Sequence, residues 1–219
     1  MNNRKTALAL FGVFFLLAFF FFSRSVRNGF LKRTDFDTTV KIQNKLVHEG
    51  RIDTDTVMEG ATFFVSPEAS LVWLFVLTIF SVYDPKNKKF RILGFLVPIL
   101  FAAMIGAELY GKTVVHHPSP PFFMIRNPTT IFPKYYVNEA YSYPSGHVAR
   151  AVFLSIISLN LIFRVFGRKM IRIIPLLCFG GFVILVGVSR MYLGHHWFSD
   201  VLGGGILGMG FGLFGILGL

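Results

Sequence analysis

The sequence is short of charge, and of acidic charge above all, and it has almost no cysteine. Only 15% of its 219 residues are charged, against about 25% in soluble domains, which is too little polarity to cover a water-facing surface. Asp and Glu number 11 against 22 Lys and Arg, a formal net charge of +11. The basic residues nevertheless fall in short connections between apolar runs rather than on one soluble face, which argues against a nucleic-acid partner. The single cysteine, Cys178, lies inside an apolar stretch and excludes a disulfide scaffold. What the chain has in abundance is hydrophobic residues, 53% of the total, with 27 phenylalanines. That composition excludes disorder and places one domain in a membrane.

Apolar runs of about 20 residues span about 30 Å of hydrocarbon at about 1.5 Å per residue. Six are expected, near residues 6–23, 63–83, 91–111, 146–166, 170–188 and 200–219. The predicted fold is therefore all-α, with six transmembrane helices in one bundle. In the second run Pro67 and Glu68 interrupt the pattern, so its lipid-exposed part is placed from Ser70. The first run follows MNNRK and resembles a signal peptide, but Ser23-Arg24-Ser25 offers no small-x-small cleavage pattern, and a retained anchor is expected. Residues 1–60 read as this anchor plus an outer amphipathic segment, DFDTTVKIQNKLVHEG, and residues 61–219 as a five-helix core.

Lys86, Lys88, Lys89 and Arg91 follow the second run, and Arg164, Arg168, Lys169 and Arg172 follow the fourth. The positive-inside rule makes both loops cytoplasmic, with both termini inside. Arg24, Arg27, Lys32 and Arg33 stand against this orientation; the segment that holds them, residues 24–60, also carries six acids. Residues 24–62, 112–145 and 189–199 then face outward. Five of the six histidines, His116, His117, His147, His195 and His196, fall in or beside the last two of these connections, and the sixth, His48, reads as a surface residue.

Three stretches carry chemistry. In SRMYLGHHWFSD, Arg190 offers a planar fork of donors suited to phosphate oxygens. His196 and Asp200 are four apart and share a face if the sixth helix begins just before them. A carboxylate there holds one imidazole proton and frees the other nitrogen as nucleophile or base; a polar helix cap is the plainer reading. In YPSGHVAR, a helix start leaves free N–H groups and a dipole that attract phosphate, with the Ser145 hydroxyl and Gly146 beside them. His147 stands at the mouth, placed to protonate a departing oxygen, and Arg150 lies one turn below it. In GKTVVHHPSPPFFMIRNP, Lys112 forms an i,i+4 pair with Glu108, or lends its charge to an anion site.

A lysine leading a proline-rich loop, then Pro144-Ser145-Gly146-His147, then Ser189-Arg190 with His196 and Asp200 at x5 and x3 spacing, resembles the type 2 phosphatidic acid phosphatase superfamily. Its motifs are K-x6-R-P, P-S-G-H and S-R-x5-H-x3-D, and the likeness covers roughly residues 90–215. The first motif departs from the pattern: Ser119 stands where the family has arginine, followed by Pro120. Arg150, Arg126 and Lys134 are the cations near enough in sequence to substitute; otherwise activity is weakened or altered. The resemblance implies an active site at the outer membrane face. His196 would attack phosphorus and form a phosphohistidine, Asp200 would orient it, and His147 would protonate the leaving group and then activate water. Lys112, Ser145, the Gly146 N–H and Arg190 would hold the phosphoryl oxygens. It implies no metal and no cofactor.

Two readings complete the expectations. The histidine pairs 116–117 and 195–196 do not suit zinc, because adjacent side chains on a helix diverge by about 100°; His116 and His195 read as interfacial hydrogen-bonders. Gly204, Gly208 and Gly212 form a stripe for close helix contact, within the bundle or across a homodimer. The expected substrate is a lipid phosphate or diphosphate, such as a polyprenyl diphosphate, phosphatidylglycerol phosphate or phosphatidic acid. A catalytically weak binder or transporter is the alternative, and a haloperoxidase is disfavoured because those relatives are soluble.

Overall fold

The computed structural model describes residues 3–48, 54–84, 88–126, 140–166 and 173–219. They form eight α-helices: α1 Asn3–Arg27, α2 Lys32–His48, α3 Thr54–Phe63, α4 Pro67–Val82, α5 Leu96–Val115, α6 Gly146–Phe166, α7 Ile173–Tyr192 and α8 Phe198–Leu217. A two-residue antiparallel pair, Tyr83–Asp84 with Lys89–Phe90, closes the turn between α4 and α5. Lys86, Lys134, Arg168, Lys169, Arg172 and the His48 side chain lie outside what is described.

Among the described residues five helices are long and apolar enough to cross a membrane, namely α1, α5 with its leading turn, α6, α7 and α8. A sixth span exists only if α3 and α4 are counted together, and they are bent by 47° at their junction. The break has a local cause. Ser66 caps α4 by accepting the Ala69 N–H at 3.3 Å, and Pro67, which has no N–H to leave unpaired, takes a first-turn position. Pro67 and Glu68 are thus the opening turn of α4 rather than interruptions of a longer helix. Two other boundaries also move. α7 runs on to Tyr192, so Ser189 and Arg190 belong to its last turn instead of a loop. α8 begins at Phe198, leaving His196 just outside it.

α6 is the central helix. Ala149, Phe153, Leu154, Ile157 and Leu161 on it meet Leu74 and Leu77 of α4, Phe101 and Met104 of α5 and Leu207 of α8. The glycine stripe is used inside the chain. Gly204 and Gly208 lie against the carbonyl oxygens of Ser145 and Ala149, and Gly212 lies against Ile156 at 2.9 Å from where a Cβ would stand. α8 therefore seats on α6 backbone to backbone, where no side chain fits.

α1 runs antiparallel to α8 along its length. Lys5 Nζ donates to Leu217 O at one end (3.2 Å), and Ser23 Oγ meets Tyr143 OH at the other (2.9 Å). The end near Ser23 gathers the last turns of α5 and α7 and the first turns of α6 and α8. At the opposite end Arg91 and Arg164 both reach Asp84 (2.7 and 2.8 Å), so the two basic connections share that end. α2 packs on α7 and α8 beside the first group. Its buried stripe is polar: Asp35, Thr39 and Gln43, at four-residue spacing, face the protein, while Phe36 stays exposed. Gln43 donates to Met124 O and Tyr192 O (2.9 and 3.0 Å), which ties this helix to the end of α7.

The α6–α8 contact yields the first testable outcome. Gly208→Ala places a methyl on the Ala149 carbonyl and should cost about 1–3 kcal/mol through overpacking, seen as a lowered unfolding temperature in detergent. Gly181→Ala on α7, where an added Cβ meets nothing within 4 Å, should leave that temperature unchanged or raise it.

Candidate active site

Four of the elements converge through backbone contacts and one indole N–H before any charged side chain is considered. Asp200, in the first turn of α8, accepts the Ser145 N–H on its carbonyl (3.0 Å), which joins the start of α8 to the start of α6. The Arg190 carbonyl, in the last turn of α7, accepts N–H bonds from His195 (3.1 Å) and His196 (3.2 Å). The chain therefore folds back at once after α7, and both histidines are pinned next to Arg190. Pro118 bridges to Tyr141, and Trp197 Nε1 donates to Pro118 O (2.7 Å), which fixes the loop after α5 against the same point.

The side chains meet inside this frame. Asp200 has no exposed surface. Its Oδ2 accepts the Trp197 N–H at 2.8 Å, capping α8, and lies 3.4 Å from His196 Nδ1. That second distance is within ion-pair reach but lacks hydrogen-bond geometry, and among the described residues His196 Nδ1 has no other partner. The expected pairing thus arises from a helix cap rather than from a shared helix face. Burial pulls the His196 pKa down to about 4, opposed by Asp200 and assisted by the charge of Arg190. Burial together with Arg190 lowers His195 to about 2. The His196 imidazole is consequently neutral at physiological pH and keeps a lone pair.

His147, in the first turn of α6, lies close enough to His196, Arg190 and Arg150 for their charges to act on it. Arg150 Nη2 is 3.4 Å from His147 Nδ1. A guanidinium only donates, so Nδ1 accepts and the ring proton rests on Nε2. Such a ring can hydrogen-bond an oxygen through Nε2–H, and as the imidazolium it can give a departing oxygen a proton. The remaining donors of Arg150 go to Val65 O from Nε (3.0 Å), at the break between α3 and α4, and to Glu108 Oε2 from Nη1 (3.4 Å).

Glu108 also takes Lys112 Nζ at 3.4 Å on its other oxygen, and both residues are buried rather than interfacial. Its carboxylate lies against Gly146 in the space that a Cβ there would occupy. A side chain at 146 would displace the Glu108 carboxylate from this position. Among the described residues, Ser145 Oγ and Arg190 Nε are buried without hydrogen-bond partners. A buried cluster of three cations, Lys112, Arg150 and Arg190, with one carboxylate among them and unsatisfied donors beside a helix start, is suited to an anion.

The second candidate cation lies elsewhere. Arg126 stacks on the Tyr192 ring at 4.8 Å and reaches its hydroxyl at 3.4 Å, and that hydroxyl donates to Asp55 of α3 at 2.7 Å. Ser119 donates its N–H to Ala140 O (3.3 Å). Lys134 lies outside the described residues.

Two residues at the site carry no signal in the motif spacing. His116 closes α5 in the left-handed conformation, φ 53°. The chain turns there, so His116 meets the Tyr141 ring at a tilt, 4.8 Å between centroids, while His117 is buried against Asp200 at 2.8 Å. Asp35 comes from α2, and the one available signal was its place in the polar stripe with Thr39 and Gln43.

Comparison with known proteins places the chain in a family and a fold. The PAP2 superfamily profile matches residues 109–218, which hold the three motifs. The chain is 40% identical over 76 residues to phosphatidylglycerophosphatase B of Bacillus subtilis (strain 168), covering 32% of this chain and only 36% of that protein. It is 30% identical over 166 residues to undecaprenyl-diphosphatase of Sulfolobus acidocaldarius, covering 75% of this chain and 70% of that one. The fold matches a crystal structure of a transmembrane PAP2 type phosphatidylglycerolphosphate phosphatase from Bacillus subtilis, with a TM-score of 0.70 at 20% identity over 93% of both chains. It also matches Aquifex aeolicus LpxE, with a TM-score of 0.55 at 20% identity over 83% of this chain and 94% of that one. With these long apolar helices and membrane neighbours, the protein is an integral, multi-pass membrane protein. By the family profile over half its length and by its relative of 30% identity, the chain belongs to the PAP2 superfamily.

Proposed function

We propose that the protein is a membrane lipid phosphatase that hydrolyses a phosphomonoester or diphosphate through a phosphohistidine, without a metal ion. The observation that supports it most is the burial, at one end of the bundle, of a neutral His196 beside Asp200, a His147 protonated on Nε2, and the cations Lys112, Arg150 and Arg190. His196 Nε2 attacks phosphorus, and the bond from phosphorus to the leaving oxygen breaks as His147, in its imidazolium form, supplies a proton and becomes neutral. Water, deprotonated by His147, then releases phosphate and restores both histidines. Lys112, Ser145, the Gly146 N–H and Arg190 hold the equatorial oxygens, and Asp200 stabilises the charge that grows on His196. Arg150 makes up for the arginine that Ser119 replaces, by its charge and through its contact with His147.

A polyprenyl diphosphate is the favoured substrate, because the archaeal relative that aligns with most of this chain is named an undecaprenyl-diphosphatase. Phosphatidylglycerol phosphate and phosphatidic acid are the other candidates. The histidine cluster is assigned to the extracytoplasmic face and both termini to the cytoplasm. Arg91 and Arg164, in the basic connections, lie at the opposite end and support this orientation.

Phosphate release in detergent with EDTA, from a panel of these lipids, should be lost in His196→Ala and largely kept in His195→Ala. Release that depends on added metal, or equal damage in both variants, would refute the mechanism. Loss of Arg150 should lower kcat/KM by about 10²-fold or more, as for removal of a transition-state donor, whereas Arg126→Ala should stay near wild type; the reverse order would move the missing cation to Arg126. The pH dependence has a defined sign. Since His196 is held at about 4, below the usual 6.5, the free enzyme keeps its nucleophile on acidification. The acidic limb of kcat/KM should then fall near pH 4; a limb at 6.5 would contradict the role of His196.

A further inference from the structure

Behind the proposed nucleophile a buried imidazole stands between two carboxylates. His117 Nδ1 is 2.8 Å from Asp200 Oδ1, and His117 Nε2 is 3.6 Å from Asp35 Oδ2. The three residues are 6%, 0% and 2% exposed, in the order His117, Asp200, Asp35. Asp35 accepts the Ser199 N–H at 2.7 Å and the Ser199 hydroxyl at 2.9 Å. The contacts close a ring: Asp35 grips the residue before Asp200, and His117 grips the Asp200 carboxylate itself. The His117 backbone is held in turn, its carbonyl accepting the Ser142 N–H at 3.0 Å.

This ring does something that packing does not require. A carboxylate rotates about its Cβ–Cγ bond unless both oxygens are held. In Asp200 the Trp197 N–H holds Oδ2, the oxygen that faces His196, and His117 holds Oδ1. Apolar residues of equal size would fill the volume at lower desolvation cost. Two buried carboxylates around one ring are the arrangement expected when a fixed orientation matters, as with outer groups that orient catalytic or ligating side chains. Asp35 comes from α2, outside the 109–218 region that matches the family.

We propose that His117 and Asp35 are positioning residues that lock the Asp200 carboxylate in the plane facing His196, which makes helix α2 a working part of the site. The proposal rests on the reading of His196 as nucleophile.

The test compares wild type, His117→Phe, His117→Asn and Asp35→Asn by kcat and KM for a polyprenyl diphosphate in detergent. Binding of orthovanadate, followed by 51V NMR, runs in parallel, because vanadate adds to a nucleophile without turnover. His117→Phe should lose about 10- to 100-fold in kcat with KM nearly unchanged, and bind vanadate correspondingly less tightly. His117→Asn, which keeps a donor at the Nδ1 position, should recover most of the loss, and Asp35→Asn should lower kcat while KM holds. Wild-type kcat in His117→Phe, or equal damage in His117→Asn and His117→Phe, overturns the proposal and leaves the hydrolase reading standing. Should His117→Phe not fold, Asp35→Asn decides: unchanged kcat overturns the proposal. If wild type turns over no lipid, the hydrolase reading falls alone and vanadate decides the positioning role. Weaker binding in His117→Phe then upholds it, equal binding overturns it, and no binding to wild type overturns both.

Discussion

The structure depends on a carboxylate with no exposed surface in the first turn of a membrane helix. An unpaired buried charge costs several kcal/mol, so Asp200 must be surrounded by donors, and those donors organise the site. Its side chain takes Trp197 N–H and His117 and faces His196, while its backbone carbonyl takes Ser145 N–H. Through this one residue the start of α6, the start of α8, the loop after α5 and the turn after α7 are held together. Its neighbour Ser199 adds α2 through Asp35. Structural need and proposed chemistry coincide: the contacts that make the charge tolerable also place a histidine beside it.

A second balance is struck on the other side of the cluster. Lys112 and Arg150 share Glu108, and Glu108 presses on Gly146, where the helix start is positive. Arg190 is buried nearby with Nε unpaired. Positive charge exceeds negative within this half of the site, and a phosphoryl group would restore the balance. Arg150 is the unusual member. It links the α3–α4 break to Glu108 and to His147, so a cation from α6 reaches the proposed general acid directly.

The frame that holds these groups is apolar and tightly drawn. α8 approaches α6 along a glycine stripe, and α1 lies lengthwise on α8, with Phe19 stacked on the buried Tyr143 next to the start of α6. Many other large apolar side chains on α1, α4 and α7 point outward. In water that would be a liability, and in lipid it is the surface the helices require.

The sequence alone determined most of the long apolar helices and which side chains were candidates for the site. Long apolar runs leave few alternatives to membrane helices, because every backbone polar group must be satisfied within the run, and α6 begins and ends at the predicted residues for that reason. The P-S-G-H and S-R-x5-H-x3-D spacings were legible because each lies within one turn and its flanking helix, so short-range geometry carries them. The tertiary structure decided whatever depends on partners far along the chain. Asp35 and Asp200 are 165 positions apart, and the four-residue spacing of Asp35, Thr39 and Gln43 marks a polar stripe without saying that it turns inward. His117 was indistinguishable from His116 until the left-handed turn at 116 sent one ring into the core and the other to the surface. Arg150 could be placed on the His147 face by periodicity, but its use of Val65 O and Glu108 depends on where α3, α4 and α5 pack. Local rules set which residues stand next to one another on a helix, and only packing between helices selects which buried charges meet.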